Sequence, residues 1–350
     1  MAFIRDEEVA GLRIESMILH VVSGEAFVEQ TARIVEHADF FVERIRNTDV
    51  APVFAFDAAS QTKLQLERMA RGQETFELGG QALSREFARL HPGNSRDGAF
   101  FIFELRTDDP AVRIYSLIKY DYEQVIEQED RDGANLLRLI VQAFVADRKA
   151  IQKAALIRVV NGSAETEVAA RDRMKQAPEI GDYFARYLHV TRVRDDRQLN
   201  EKMIEAVSAA LKELRELLPN ADVPAAFREV KTMLGGRLRV SGAVLEEVVL
   251  STAGDPDDER VIARIQNTVR RKLRAAKLEG LEFVPDRALL RVPAIRRLRT
   301  TEGVLLFYPD RVAQTNVDRR RTENGGEVIT ITTRRIEEDG VVRSEPRSAA

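Results

Sequence analysis

The sequence predicts an α+β protein: an N-terminal domain with a mostly antiparallel sheet and packed helices, then a C-terminal helical segment followed by a small antiparallel sheet. Three observations carry that expectation. Residues 100–105 (FFIFEL) and 113–122 (RIYSLIKYDY) are β-rich runs on either side of Asp108-Asp109-Pro110, the pattern of an antiparallel hairpin. Residues 198–278 are dominated by apolar residues at helical spacing. Beyond Gly280 the β-branched runs return. A length of 350 residues suits two domains. The change of pattern near 191–197 sets the expected boundaries: an α+β platform over 1–190, a helical and hairpin part over 191–338, and a disordered polar tail over 339–350.

Element by element, residues 12–22 (LRIESMILHVV) read as the opening strand and 27–46 as a helix. Two further helices are expected over 62–70 and 81–90, with a flexible GQETFELGG between them. The hairpin of 100–122 lacks a clean polar face, so both of its strands belong in the middle of a sheet. Residues 136–145 fit a helix or a buried strand, and 153–160 (KAALIRVV) fit a strand that closes on the turn Asn161-Gly162-Ser163. Helices follow over 180–188, 198–218, 223–234 and 260–278, the second stopped by Pro219 and the third by Gly235-Gly236. Strands are expected over 304–308, 313–317 and 328–333.

Zero cysteines excludes a disulfide scaffold, a thiolate metal site and a Cys nucleophile. No apolar run approaches the ~20 residues of a membrane span, and the N-terminus lacks the layout of a signal peptide, so a cytoplasmic protein without a membrane partner is expected. The net charge of −3 conceals segregation: residues 1–150 hold 18 basic and 26 acidic side chains, whereas 260–299 hold 12 basic and three acidic. Local stripes, not whole-chain charge, decide affinity for phosphate backbones.

The basic stripe is helical over 260–278. Ile262, Ile265, Val269, Leu273 and Ala276 share one arc of the wheel, Lys272 lies beside it, and Arg264, Arg270, Arg271, Arg274 and Lys277 lie opposite, on the same face as Arg260. Arg296, Arg297 and Arg299 follow. These nine cations form the candidate DNA-binding set, because the guanidinium fork suits phosphate. The bland alternative is a solvated face whose basic end complements the helix dipole. No aromatic residue interleaves the cluster, which argues against stacking on unpaired bases. No P-loop, GxGxxG, HExxH or GxSxG motif is present, and the four histidines are scattered. An alternative enzymatic reading places Asp121 and Glu123 on one strand face with Glu104 approaching from the partner strand, a carboxylate set for Mg²⁺-dependent phosphodiester cleavage.

Several blocks in order resemble the bacterial nucleoid-associated protein family of the NdpA type. They are 76–80 (FELGG) leading to 83–87 (LSREF), 98–105 (GAFFIFEL), 117–121 (LIKYD), 149–159 (KAIQKAALIRV), 182–188 (DYFARYL) and 283–287 (FVPDR). The similarity spans residues 12 to about 336. It implies a cytoplasmic protein of the nucleoid that binds double-stranded DNA without catalysis or a cofactor and helps organise the chromosome. The expected function is sequence-tolerant backbone binding. A module recruited to the nucleoid by another nucleoid protein is a further alternative, and the apolar stripe of 198–218 offers a homodimer surface.

Overall fold

The computed structural model describes residues 3–23, 26–93, 95–121, 123–131, 134–143, 150–292, 295–309, 316–322 and 324–336; for 123–131, 134–143, 295–296 and 309 it describes the backbone alone. The expected tail over 339–350 lies outside the described residues. The fold class is the α+β arrangement that the sequence predicts. The chain divides into two compact units, Met1–Leu290 and Arg291–Ala350.

The first unit opens with α1 (Asp6–Val9), β1 (Arg13–Val22), α2 (Ala38–Arg46), β2 (Phe54–Phe56), α3 (Gln61–Ala70) and α4 (Phe76–Leu90). The strands β3 (Gly98–Arg106), β4 (Val112–Tyr120), β5 (Glu123–Arg131), β6 (Ala134–Ala143), β7 (Ile151–Val160), β8 (Ser163–Ala164) and β9 (Glu167–Asp172) follow. Eight strands, completed by β10 (Val190–Arg192), form one antiparallel sheet ordered β1-β3-β4-β7-β9-β2-β10, with β8 beside β7. The strands β5 and β6 pair with each other in a separate ribbon. Central β3, β4 and β7 are buried on both faces, as their near-continuous apolar runs require.

Two helical expectations change. Residues 26–37 are not helical; His37 adopts a left-handed conformation and helix begins only at Ala38. Tertiary bonds hold this stretch extended: Arg33 N donates to Met17 O, Gln30 N to His20 Nε2 and Ala32 N to Glu77. Conversely, α4 starts at Phe76, capped by Thr75, and runs through Gly79-Gly80. A Cβ on Gly80 would stand 2.8 Å from Ile18 Cγ2 of β1, and one on Gly79 would meet Met69 of α3, so the glycines serve close approach of the helix to its neighbours and not flexibility.

After α5 (Asp182–Leu188), which precedes β10, the unit continues with α6 (Asp196–Glu213), α7 (Val223–Gly235), β11 (Val240–Ser241), α8 (Gly242–Thr252), α9 (Glu259–Ala275), β12 (Glu282–Phe283) and α10 (Arg287–Leu290). Asp195 and Gln198 form a capping box at the start of α6. Its stripe of Leu199, Met203, Val207 and Leu211 is buried among residues of the same unit, and α6 packs on α7 and α9. The expected dimer surface on this helix is therefore interior. The expected boundary at 190/191 also falls inside the first unit. One hydrophobic core runs from Phe3 to Leu290, and Ala51 N donates to Glu279 O (2.9 Å) across it.

The second unit contains two antiparallel hairpins: β13 (Ile295–Arg299) with β14 (Leu305–Pro309), and β15 (Val317–Arg321) with β16 (Glu327–Ile331). The strand expected over 313–317 starts only at Val317; 313–315 lie outside the described residues.

Candidate nucleic-acid interface

The helix α9 has the amphipathic build that its sequence predicts, with Ile265, Val269 and Leu273 buried. Arg264, Arg270, Arg271 and Arg274 are exposed and Lys272 is half-buried, and all five face carboxylates; Arg260, in the first turn, makes no ion pair with any described residue. Arg270 makes a bidentate contact with Glu246 (2.7 and 2.8 Å), and that hydrogen-bonded carboxylate raises its proton affinity further. Arg271 and Lys272 share Glu213, the latter at 2.9 Å. Arg274 binds Glu279 (2.7 and 3.1 Å) and Asp6. Lys277, just beyond the helix, binds Glu167 (2.8 and 2.9 Å), and Arg264 lies 3.9 Å from Glu216. Exposed pairs of this kind contribute about 0–1 kcal/mol each, so they do little for stability. They matter to the field: carboxylates from other segments stand among the cations and cancel the stripe.

The second unit presents the other cations. Residues 291–336 hold ten basic and five acidic side chains, a net of +5. Arg297 and Arg299 are exposed and make no ion pair with any described residue; the side chain of Arg296 lies outside the described residues. The strand β15 adds Arg319, Arg320 and Arg321, all exposed, with Arg319 on Glu327 (2.5 Å) and Arg320 on Asp318 (2.7 Å). The sequence reading missed β15 as a basic strand. It also missed that β14 sets Phe307 directly opposite Arg297, with the guanidinium carbon 5.9 Å from the ring centroid. Aromatic residues therefore do interleave this cluster, through pairing and not through sequence adjacency.

Two carboxylates of the enzymatic alternative, Glu104 and Asp121, are not brought together. Glu104 pairs with Tyr115, while Asp121 follows Tyr120 at the other end of β4, six residues on; at ~3.4 Å per residue the two are roughly 20 Å apart. Each is held by its own partners. Glu104 accepts from Arg113 (3.0 Å) and lies 3.7 Å from Arg106, and burial raises its carboxyl in spite of them. Asp121 accepts from Gln152 and from Arg173 (2.8 Å). The side chain of Glu123 is outside the described residues. No cluster of three metal-ligating groups occurs among the described residues.

A buried polar cluster at this end of the sheet was legible only as lysines inside apolar runs. Lys119 on β4 and Lys153 on β7 are directly opposite each other, and both are buried. The Lys119 ammonium donates to His91 Nε2 (2.7 Å), Ser95 Oγ (3.1 Å) and the Arg96 carbonyl. Burial, then the Lys153 charge, lowers its proton affinity to about 8; burial and Lys119 lower His91 to about 4. Lys153 is paired with Asp172 and stands 4.7 Å over the Tyr183 ring. All three donor positions of Lys119 are used, so it works as a clamp that fixes the 91–96 loop to the sheet.

No model of a known protein family matches the chain, and no curated protein matches it.

Proposed function

We propose that the protein binds double-stranded DNA through the phosphate backbone, with little sequence preference, and that the second unit carries most of the affinity. The supporting observation is the contrast between two sets of arginines. Those of α9 from Arg264 to Arg274 face carboxylates, whereas Arg297 and Arg299 on β13 are exposed without an ion pair among the described residues and lie in a segment of net +5. Phosphates replace counterions where cations are free of competing carboxylates, so the β13–β14 hairpin is the stronger seat. Contacts of this kind fix position on a duplex without reading its sequence. The nucleoid location and the chromosome-organising role implied by the resemblance belong to this proposal. Arg297→Ala/Arg299→Ala should weaken binding to unrelated duplexes alike in an anisotropy titration. Arg270→Ala/Arg271→Ala/Arg274→Ala should weaken it less. The opposite order would move the interface back to α9.

A further inference from the structure

The exposed face of the β13–β14 hairpin has a composition that duplex backbone binding alone does not require. Directly opposed residues of an antiparallel pair share a face, so the register puts Arg297 with Phe307 and Arg299 with Leu305 on one side. Leu298, Leu306 and Tyr308 occupy the other side and are half-buried or buried. On the outer side Phe307 is 61% exposed and Leu305 48%. One ring, one aliphatic side chain and two guanidinium groups therefore stand side by side in solvent. The two arginines are two residues apart on one strand, roughly 6.6 Å, so both flank the ring on the same surface.

We propose that this face is a stacking platform for an unpaired nucleotide, with a base on the Phe307 ring and the adjoining phosphates on Arg297 and Arg299. The proposal rests on the nucleic-acid reading above and specifies the strand state that the hairpin prefers. A base offers a π face to a ring whatever its identity, and a basic groove beside aromatic side chains is how single strands are held without sequence preference. In a duplex the bases are already stacked, so Phe307 has nothing to gain there and only the arginines contribute. The Arg297 guanidinium carbon lies 5.9 Å from the ring centroid, within reach of a phosphate that adjoins a base on the ring. Charge complementarity selects a polyanion over a second copy of the hairpin, whose own arginines would meet these.

The test uses the full chain, a labelled oligothymidylate and a labelled duplex of equal length, titrated by anisotropy at low salt. Phe307→Ala should weaken oligothymidylate binding by about tenfold or more and leave duplex binding unchanged. Phe307→Tyr, which keeps the ring, should retain single-strand binding. Arg297→Ala/Arg299→Ala should weaken both ligands. Phe307→Ala with unchanged single-strand affinity, or with equal losses on both ligands, would overturn the stacking site; if the double arginine variant still weakened the duplex, backbone binding would stand. Wild-type protein that bound neither ligand would overturn both.

Discussion

Buried ionisable side chains in the first unit make its stability depend on pH in a direction that can be worked out. His20 is fully buried, stacks on Phe27 (5.0 Å) and accepts a hydrogen bond from Gln30 N, so burial holds its proton affinity down at about 4 against an ordinary 6.5. His91 is shifted the same way. Between those values the unfolded chain binds protons that the folded chain refuses, so stability is lost as pH falls from about 6.5 towards about 4. Denaturation midpoints measured across this window should drop steeply, and His20→Gln, which keeps an acceptor, should make the drop shallower. An unchanged slope in that variant would remove His20 from the account. Lys119 follows the same sign at higher pH: with its affinity lowered from 10.5 to about 8, its penalty is present at neutral pH and is relieved as pH rises through that window. Lys153 and Asp172 form a buried pair in which Asp172 also accepts from Gly181 N (2.8 Å) and Met174 N (2.9 Å). Lys153→Met strands the carboxylate and should cost about 3–5 kcal/mol in urea unfolding; Lys153→Met/Asp172→Asn should recover part of it.

Elements were readable where local pattern and tertiary packing ask for the same thing. The hairpin β3–β4 and the helices α3, α5, α7 and α9 announce themselves because a period of two or of 3.6 matches the face they bury. The misreadings share a cause. Residues 27–46 carry helical spacing, yet bonds to β1 and to Glu77 hold their first part extended, and no local signal reports a bond formed with another segment. The glycines of α4 read as a breaker until Met69 is seen against Gly79 and Ile18 against Gly80. Gly80→Val tests that explanation: helix propensity changes little between those two residues, but overpacking against Ile18 should cost about 1–3 kcal/mol. A thermal melt equal to wild type would show that the site tolerates the side chain. In the candidate interface, the cations of β13 were visible in sequence, but the ring opposite them was not, because cross-strand partners are set by register.

Across the whole molecule the charge follows the two compact units. The first holds 42 basic and 48 acidic side chains and the second 12 and nine, so −6 and +3 make up the total of −3. The basic stretch of 260–299 is divided between the two units: its helical part lies among carboxylates brought by α6, α8 and the N-terminus, and its strand part belongs to the second unit. Sequence counts the charges of a segment; only the fold supplies the acids that neutralise them. No helix among the described residues is long and apolar enough to cross a membrane. The central claim, that exposed arginines of the second unit bind phosphates, is tested most directly by the salt dependence of duplex affinity. Wild-type log affinity should fall linearly with log salt, and Arg297→Ala/Arg299→Ala should flatten the line by about 0.9 for each phosphate that is no longer neutralised. A wild-type chain with no affinity at low salt, or a variant with the wild-type slope, would contradict the claim.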